Sequence, residues 1–463
     1  MTRSTALEPI WRAAGLPTSA LADITLTGSD PVLRSSFALG TAAQVTLAAA
    51  ALAATQIGAQ RNGLRQQVRV DMRHAALECA CRFTIDGRTP QLWDHLAGLY
   101  ECGDGRWVRL HTNFAHHHDG VLRLLGLPVG AGTPRESVAV ALRERQAFEF
   151  EDAAATVGLV VATVRTFDEW DAHPQSAAIA AQPLVEIEKI GDAPQLSCPA
   201  LPLDARPLHG LRVLDLTRIL AGPVGGRTLS AYGAEVMLVN SPTLPNIEAI
   251  IDTSRGKLSA LADLRGAQGR DGLRAVLRDA HVFVQGYRPG ALAELGFAPA
   301  DLATVRPGIV VVSLSAYGEI GPWGSRRGFD SLVQSATGFN DAEARAAAST
   351  QPQAFPVPLL DMATGFLIAF GAQAALLRQR VEGGSWQVRV SLARTGQWLR
   401  ELGRVAHGID ALQADFTGLM ETTPSGYGEL TAMCHAAEFS HTPARWARPS
   451  VPPGTHPLAW PLP

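Results

Sequence analysis

The sequence predicts an α/β protein with a large domain built on a doubly wound, Rossmann-like parallel sheet and with a smaller α+β domain. Short apolar runs alternate with helical segments between residues 211 and 313, and this alternation is typical of a parallel sheet. A segment dense in proline, residues 191–207, divides that region from the first 190 residues. Residues 82–185 mix strand and helix signals in another pattern, which favours a separate small domain.

The strands of the large sheet are predicted at residues 211–216, 235–239, 281–285 and 308–313. A glycine-rich turn at 222–226 follows the first strand and opens a helix predicted over 227–232, and another helix is predicted over 270–279. Ligands of such sheets bind beyond the carboxyl ends of the strands, near helix N-termini. The turn over 220–226 is therefore a candidate binding turn, although it carries no G-x-G-x-x-G fingerprint and a purely structural role is the alternative.

One helix–strand unit is predicted to occur twice. Residues 67–70 read Gln-Val-Arg-Val and recur 320 positions later at 387–390, and Gly63 corresponds to Gly383 at the same spacing. An alanine-rich helical stretch precedes each glycine, over 42–57 and 363–377. Both copies are predicted to run helix, glycine turn, strand and helix, as in a decayed duplication.

The predicted organisation has five parts. They are a truncated copy of the large-domain helical segment (1–81), a small α+β domain (82–190), a proline-rich linker (191–209), the large domain (210–400) and an extended C-terminal arm (401–463).

Composition excludes several classes of function. Hydrophobic residues make up 46% of the 463 residues and charged residues 18%, as in ordinary globular proteins. The net charge of −3 carries no signature of binding to nucleic acid or to an anionic membrane. The start of the chain shows no signal peptide, and the most apolar stretch, 37–57, is mostly alanine, so it is predicted as a buried helix. The odd number of cysteines favours reduced thiols and a cytoplasmic location. These cysteines are Cys79, Cys81, Cys102, Cys198 and Cys434.

One carboxylate stands alone in an apolar segment. Asp361 is the only charged residue between Arg345 and Arg378. A buried carboxylate is costly unless it is paired or hydrogen-bonded, and enzymes use such groups as covalent nucleophiles. This segment leaves two interpretations open, an N-cap of the following helix or a nucleophile. At the spacing of the repeat, Asp361 corresponds to Thr41, so the first copy lacks the carboxylate.

Six sequence blocks then follow one another between residues 210 and 395. They read Gly-Leu-Arg-Val-Leu-Asp-Leu-Thr-Arg-Ile-Leu-Ala-Gly-Pro (210–223), Tyr-Gly-Ala-Glu-Val (232–236), Arg-Gly-Lys (255–257) before Asp263, Ala-His-Val-Phe-Val-Gln-Gly-Tyr-Arg-Pro-Gly (280–290), Gly-Phe-Asp (328–330), and Leu360-Asp361 with Gly365. In this order they resemble family III CoA-transferases of the CaiB/BaiF type, which include formyl-CoA and carnitine CoA-transferases. Residues 35–80 resemble a worn copy of the catalytic segment, and residues 82–185 resemble the small domain, which normally follows the large one.

The resemblance implies a mechanism and an assembly. Asp361 would attack an acyl-CoA thioester, and an aspartyl anhydride and then an aspartyl-CoA thioester would form before a carboxylic acid accepts the CoA. Coenzyme A and acyl-CoA would be substrates, without a covalently bound cofactor, and the assembly would be a homodimer.

The resemblance also implies a set of CoA-binding residues. Ile219, Leu220 and Ala221, at the start of the glycine-rich turn, would lie along the pantetheine and adenine. Lys257 and Arg327 would meet phosphate oxygens, and Tyr287 would pack on the nucleotide. Solvated charges and ordinary core packing are the alternatives for these side chains. The implied CoA-binding residues are Ile219, Leu220, Ala221, Lys257, Tyr287, Arg288, Arg327 and Phe329.

Several departures from the family pattern keep two alternatives open. Asn240, Ser241 and Glu294 replace polar or charged residues that are usual in the family, which leaves open a catalytically relaxed CoA-binding protein. An acyl-CoA racemase of the same family would need a histidine where Phe329 precedes Asp330, and its absence argues against that activity.

No metal site is predicted. Residues 116–118 are consecutive histidines, and consecutive side chains point in different directions on a regular backbone. A solvated helix start is the interpretation that we favour for them.

Overall fold

The structure is a computed structural model that describes residues 3–196, 200–412 and 415–461. Cys198 and Pro199 of the predicted linker lie outside the described residues. The strands are β1 (Ile24–Thr27), β2 (Val68–Asp71), β3 (Phe83–Ile85), β4 (Gly98–Glu101), β5 (Trp107–Leu110), β6 (Val161–Thr163), β7 (Glu186–Gly191), β8 (Arg212–Leu216), β9 (Glu235–Asn240), β10 (Lys257–Leu261), β11 (Val282–Gln285), β12 (Val310–Ser315), β13 (Ser385–Ser391), β14 (Met420–Ser425), β15 (Gly428–Met433) and β16 (Ala437–Phe439).

The helices alternate with these strands along much of the chain. They are α1 (Arg3–Ala13), α2 (Leu39–Asn62), α3 (Met72–Glu78), α4 (Ala115–Leu125), α5 (Arg135–Leu142), α6 (Ala147–Thr156), α7 (Phe167–Asp171), α8 (Pro174–Ala180), α9 (Ala221–Ala231), α10 (Ile250–Thr253), α11 (Ala267–Leu277), α12 (Pro299–Val305), α13 (Asp330–Ala336), α14 (Phe339–Ala346), α15 (Leu359–Glu382) and α16 (Leu392–Glu401).

The central sheet has seven strands in the order β10-β9-β8-β11-β12-β13-β7. The first six are parallel and β7 is antiparallel to β13. The chain winds outward from β8 in one direction and from β11 in the other, which is the strand order of a Rossmann-like sheet. The prediction of a mixed α/β protein with a large parallel sheet is confirmed, and the crevice where ligands bind in such sheets lies between β8 and β11.

Both faces of this sheet are covered, which explains the apolar runs in the sequence. Val282 and Val284 of β11 pack into the core that contains α15 and α9, whereas Phe283 packs into the core under α11 and α12. Strands buried on both faces read as continuous hydrophobic runs rather than as alternating ones.

The glycine-rich segment after β8 is helical, contrary to the prediction of a turn before residue 227. Helix α9 begins at Ala221 because its glycines allow it to pack directly on α15. A Cβ atom on Gly225 would lie 2.5 Å from Cγ2 of Ile368, and one on Gly365 would lie 2.7 Å from the carbonyl oxygen of Ala221. The small residues therefore serve the packing of α9 on α15.

The predicted repeat is visible in the elements. Helices α2 and α15 have equal lengths, begin 320 residues apart at Leu39 and Leu359, and pack against each other. Each is followed by a positive-φ glycine, Gly63 or Gly383, then a strand and a short helix. Even the caps correspond, since Asp71 accepts the N–H of His74 at α3 and Ser391 accepts that of Arg394 at α16.

Within the described ranges, strands outside the central sheet form three small sheets. Strands β4, β5 and β6 form an antiparallel sheet whose apolar cluster includes residues of α4, α5 and α6. Strand β7, which the sequence analysis assigned to the small domain, instead joins the edge of the central sheet. The prediction that residues 401–463 form an extended arm is wrong for β14–β16, because β15 pairs with β3 and β16 pairs with β2 over long sequence distances.

Helices α2 and α15 are long and apolar enough to cross a membrane by length and composition alone. Their most apolar windows are 89% and 94% buried inside the protein, respectively. A core position explains their composition, as predicted for residues 37–57.

Candidate active site

Asp361 lies in the first turn of α15, one helical turn before the point where α15 packs on the start of α9. Helix α15 begins at Leu359 after Pro358, so Asp361 is its third residue. The side chain is 8% exposed, and no donor among the described residues reaches its carboxylate oxygens. Of the two interpretations of this residue, the N-cap is wrong, because Asp361 lies inside the helix and Pro358 occupies the N-cap position.

The capping function belongs to Asp330, at the start of α13. Its Oδ2 atom accepts the backbone N–H of Asp361 at 3.0 Å, and the N–H of Leu360 also bonds to this carboxylate. Gln334, one helical turn further on, donates to the other oxygen. Asp330 thereby fixes the start of α15 and brings a second carboxylate beside Asp361.

Burial raises the pKa values of both carboxyl groups. For Asp330, burial raises the pKa to about 6. The rise is limited by hydrogen bonds from the backbone of residues 360 and 361 and from Gln334, and by the positive charge of Arg109. Burial and then the charge of Asp330 raise the pKa of Asp361 well above its usual range. Two adjacent carboxyl groups of this kind cannot both ionise easily, so they titrate as a pair.

The predicted binding turn meets α15 one helical turn beyond Asp361. Ile219 follows β8 with a φ of +75°, and Leu220 and Ala221 are buried at the start of α9. The carbonyl of Ala221 lies against Gly365, which is four residues after Asp361 and therefore on the same side of α15. The structure thus packs Ala221 against α15 one helical turn beyond Asp361, with Ile219 and Leu220 directly before it in the chain.

Lys257 does not face a ligand, contrary to the prediction that it meets a phosphate. Its side chain is completely buried, and its Nζ atom donates to Asp215 at 2.8 Å and to the carbonyl of Pro223 at 2.7 Å. Burial lowers the pKa of Lys257, while Asp215 opposes that effect. The lysine holds β10, β8 and α9 together.

The other predicted CoA residues occupy the rim of the crevice. Tyr287 follows β11, packs half-buried against the core, and burial raises its pKa. The exposed Arg288 is paired at 3.2 Å with Glu294, one of the residues that depart from the family pattern. Arg327 is exposed and forms no ion pair among the described residues. Arg218, which the sequence analysis did not select, lies over the ring of Phe114 at 5.2 Å.

Phe329 connects this site to the segment 93–117. The His111 ring stacks on Phe329 with ring centroids 4.0 Å apart, and the Phe114 and His117 rings lie 6.3 Å from it. Strand β5 and the N-terminus of α4 thus approach α13 within one chain. Sequence reasoning missed Arg109 and His111, although an arginine and a histidine flanking the last residue of a predicted strand are a usable signal. The interpretation of residues 116–118 as a solvated helix start is wrong for His117 and His118, which are 3% and 7% exposed in α4.

Three other side chains could offer ligand atoms to a metal ion. One atom each of Asp94, His95 and His118 lies within 4.8 Å of the others. Several of their polar atoms already have partners, since Asp94 accepts hydrogen bonds from Thr112 and Leu96 and His118 contacts Asp119. That no metal binds here stays a prediction.

Comparison with known proteins places the chain in a family. The model of CoA-transferase family III matches residues 13–201 and 208–407, and the chain belongs to this family. The two matched segments agree with the duplicated and rearranged order predicted from the sequence.

Named relatives cover parts of the chain. It is 29% identical over 367 residues to an acyl-CoA transferase of Gibberella moniliformis, covering 70% of this chain and 64% of the relative. It is 34% identical over 202 residues to a probable fatty acyl-CoA transferase of Mycobacterium tuberculosis (41% and 51% covered). It is 32% identical over 204 residues to the succinyl-CoA:glutarate CoA-transferase of Mus musculus (41% and 45%). The chain therefore spans about half to two thirds of the length of these curated relatives.

A solved structure of a CaiB/BaiF family protein from Brucella suis matches with 25% identity and a TM-score of 0.38, covering 49% of this chain and 65% of that one.

Proposed function

We propose that this protein is a CoA-transferase that moves CoA from an acyl-CoA thioester to a carboxylic acid, with Asp361 as the covalent acceptor. The observation that carries the proposal is a buried carboxylate, without a hydrogen-bond partner among the described residues, in the first turn of a long helix that packs on the start of α9. Relatives named as acyl-CoA transferases and as a succinyl-CoA:glutarate CoA-transferase support this class of reaction.

The proposed reaction consists of four exchanges at carbonyl carbons. A carboxylate oxygen of Asp361 attacks the thioester carbonyl, the C–S bond breaks, and CoA leaves as thiolate from a mixed anhydride. The thiolate then attacks the aspartyl carbonyl and expels the first acid as its carboxylate. The acceptor carboxylate attacks the resulting aspartyl-CoA thioester, and the released thiolate attacks the acceptor's carbonyl, which regenerates Asp361. Each step breaks one bond to an acyl carbon and forms another.

The surroundings of Asp361 suit this chemistry. A poorly hydrated carboxylate is a better nucleophile than one in water, and an anhydride survives only where water is excluded. The raised pKa of Asp361 means that the reactive, ionised form must be produced in the site. The N-terminus of α15 favours that ionised form, because its backbone dipoles point their positive end at residue 361.

CoA binding is proposed along the crevice between β8 and β11. Ile219, Leu220 and Ala221 would contact the pantetheine arm, and Tyr287 would pack on the nucleotide. Arg288 and Arg327 are the exposed cations on this rim that would meet phosphate oxygens, with Phe329 at the reacting end. Lys257 is left out of the proposed site, because its ammonium group is buried in an ion pair. A homodimer and a cytoplasmic location remain proposals.

The test is to trap the intermediate at Asp361. We expect the protein, incubated with a panel of acyl-CoAs and then hydroxylamine, to carry a mass increase on the peptide that contains Asp361. Asp361→Ala is expected to abolish the adduct and turnover while the fold remains intact. Asp341→Ala, on the neighbouring helix α14, is the control and is expected to react like the original protein. Turnover by Asp361→Ala would refute the mechanism.

An acyl-CoA racemase is a second candidate because the structure brings an imidazole to Phe329. His111 stacks on the side chain that occupies the place of the expected histidine. Racemisation requires removal of the proton next to the thioester carbonyl. Exchange of that proton for deuterium in heavy water, without transfer of CoA to any acid, would favour the racemase.

A further inference from the structure

Three side chains outside the proposed active site bring possible metal-ligand atoms together from two segments of the chain. Asp94 and His95 lie in the loop before β4, and His118 lies in α4. One ligand atom of each lies within 4.8 Å of the others. Oδ2 of Asp94 and Nδ1 of His95 are 3.6 Å apart, and the ring centroids of His95 and His118 are 5.6 Å apart. We call these three residues the Asp-His-His cluster.

The hydrogen bonds of the two imidazoles determine which nitrogen can bind a metal ion. Nε2 of His95 contacts the carbonyl oxygen of Thr133 at 3.1 Å, and a carbonyl only accepts, so Nε2 carries the hydrogen. Nδ1 of His118 contacts Oδ1 of Asp119 at 3.1 Å, and an ionised carboxylate also only accepts. In a neutral imidazole the other nitrogen then has a lone pair. The lone pairs are therefore on Nδ1 of His95 and on Nε2 of His118.

The two oxygens of Asp94 are divided between two tasks in the same way. Oδ1 accepts the Thr112 hydroxyl at 2.6 Å and the N–H of Leu96 at 3.0 Å. Oδ2 accepts no hydrogen bond from the described part of the chain and lies 3.6 Å from Nδ1 of His95. Because both of these atoms carry lone pairs, they repel each other unless a proton or a cation binds between them.

This is the hydrogen-bond pattern of a transition-metal site. Histidines that bind metal almost always donate their other N–H to a carboxylate or a carbonyl, as His118 and His95 do here, and carboxylate ligands are hydrogen-bonded as well. These hydrogen bonds leave one ligand atom of each side chain available, so they orient the cluster without competing for the ion. Ligand atoms of a tetrahedral zinc ion lie about 3.3 Å apart. Asp94 and His95 are near that spacing, and the side chain of His95, which is 42% exposed, leaves the cluster open to ions from solvent.

We propose that Asp94, His95 and His118 bind one zinc ion, with water as the fourth ligand. Two imidazoles and one carboxylate suit zinc, whereas magnesium and calcium take mostly oxygen ligands. The sequence-based prediction of no metal rested on the divergence of consecutive histidines, and only His118 of residues 116–118 belongs to the cluster. The proposal goes beyond the proposed function and does not depend on it.

The ion has a structural task, because its ligands join α4 to the loop before β4. The N-terminus of α4 carries Phe114 and His117, whose rings lie 6.3 Å from that of Phe329. Zinc at the Asp-His-His cluster therefore stabilises the segment that packs against the start of α13. No step of the proposed transfer reaction uses the ion.

The experiment is calorimetric titration of the full chain with zinc chloride after treatment with a chelator. We expect one zinc ion per chain and no comparable binding of magnesium chloride. Asp94→Asn and His118→Gln each remove a ligand and should weaken zinc binding by about tenfold or more. Asp119→Ala, which removes the acceptor that orients His118, should weaken it by about tenfold. His116→Gln is the matched control, since it changes an exposed histidine of the same helix outside the cluster, and it should bind zinc like the original protein.

Two further measurements separate a zinc site from a merely structural cluster. X-ray absorption at the zinc edge should show two imidazole ligands in the original protein and one in His118→Gln. Zinc should raise the melting temperature of the original protein and of His116→Gln, but not that of His118→Gln. Asp94→Asn retains an acceptor oxygen for Thr112 and Leu96, so it provides a folded variant in which only the charged ligand is lost.

Three results would overturn the proposal. Absence of zinc binding would mean that a proton joins Asp94 to His95, and equal affinity for magnesium would mean that the imidazoles are not ligands. Full zinc affinity in both Asp94→Asn and His118→Gln would place the ion at other histidines. Asp94→Asn should still form the adduct at Asp361, so failure of the trapping experiment would leave the zinc site in place, and loss of the zinc site would leave the transferase mechanism in place.

Discussion

At the scale of the residue, the central feature is a pair of carboxylates with different tasks. Asp330 accepts the N–H groups of residues 360 and 361 in the first turn of α15, whereas no hydrogen bond from the described part of the chain reaches the side chain of Asp361. In the first copy, the corresponding pair is Asp30 and Thr41, and its hydrogen bonds differ. Asp30 accepts the N–H groups of Gly40 and Thr41 at the start of α2, and the Thr41 hydroxyl bonds to the same carboxylate at 2.6 Å. The position of Asp361 is thus hydrogen-bonded in one copy and free to react in the other.

Replacing Asp330 by asparagine tests how the pair is tuned. The amide oxygen can still accept an N–H from α15, but the negative charge beside Asp361 is gone. Because that charge raises the pKa of Asp361, the variant should have a lower pKa there. The reactive form is the carboxylate, so the rate of adduct formation rises with pH through this pKa. We expect the midpoint of the pH–rate curve to move to lower pH by about one unit or more.

The measurement is the rate of adduct formation with one acyl-CoA across the pH range in which the protein is folded. Asp341→Asn is the control, because Asp341 pairs with Arg345 on the surface of α14. A midpoint that stays in place or moves upward in Asp330→Asn would show that the two carboxylates are not coupled.

Lys257 is predicted from its motif to bind a phosphate, but in the structure it is buried in an ion pair. Its ion pair with Asp215 is completely buried, and the Thr217 hydroxyl also donates to Asp215. Lys257→Met would leave an unpaired carboxylate in the core, which costs about 3–5 kcal/mol. We expect the free energy of unfolding in urea to fall by that amount, and the double variant Lys257→Met with Asp215→Leu to regain part of it.

The affinity for CoA decides between the two roles of this lysine. If the ion pair is structural, folded Lys257→Met protein should bind CoA with about the original affinity. Full stability combined with a large loss of CoA affinity would restore the phosphate role that the motif predicts.

At the scale of the element, the sequence predicts regular pieces better than their ends. The strands β8, β9, β11 and β12 lie within two residues of their predicted bounds, because apolar runs flanked by glycine and charged residues mark them. The start of α9 was missed, since glycines that signal a turn here allow two helices to touch. The places of β15 and β16 were missed because β15 pairs with β3 and β16 pairs with β2, more than 300 residues away in the chain. The hairpin β14–β15 itself is local and was missed outright.

The site was predictable to the same extent. The isolation of Asp361 in the sequence singled it out, and the structure packs Ala221 of the predicted turn against α15 one helical turn beyond it. The contribution of the segment 93–117 could not be predicted, because it depends on β5 and α4 packing against α13, a contact between residues more than 200 positions apart. The assignment of these residues to a reaction stays a prediction.

The start of α2 offers a test of the duplicated caps. Asp30→Ala removes the acceptor for two N–H groups and for the Thr41 hydroxyl. Loss of such a cap should lower the free energy of unfolding by about 1–2 kcal/mol in a urea titration. Asp410→Ala, at an exposed acid outside any cap, should leave stability unchanged. An Asp30→Ala variant as stable as the original would show that the cap does not hold α2.

At the scale of the whole molecule, one buried network joins three distant parts of the chain. Glu78 ends α3 in the first copy, and it contacts Arg227 of α9 at 3.3 Å. On its other side it contacts His435 at 3.1 Å and accepts the N–H of Ala436 at 2.9 Å, both in the C-terminal segment. Arg227 in turn pairs with Asp252. The front copy, the large domain and the tail therefore share one set of hydrogen bonds, which explains how a rearranged chain closes into one fold.

The pH dependence of stability tests this network. Burial alone would raise the pKa of Glu78, but His435, Arg227 and the N–H of Ala436 outweigh it and lower the pKa from 4.5 to about 2. A carboxylate whose pKa is lowered on folding stabilises the protein above its unfolded pKa, and the stabilisation is lost as the pH falls toward the folded value. The difference corresponds to about 3 kcal/mol at neutral pH.

Glu78→Gln should therefore unfold more easily than the original protein at pH 7, by about 3 kcal/mol in a urea titration. The gap between the two should shrink as the pH falls below 4.5 and should approach its minimum near pH 2, if both proteins remain folded without denaturant at the pH values compared. The raised pKa values of Asp330 and Asp361 change the stability with pH in the opposite direction. This contribution is the same in both proteins, so it cancels when their free energies of unfolding are subtracted. Glu438→Gln, an exposed acid on β16, is the control. A gap that is absent at pH 7, or that grows toward acid, would mean that the three parts are held together by apolar packing and not through Glu78.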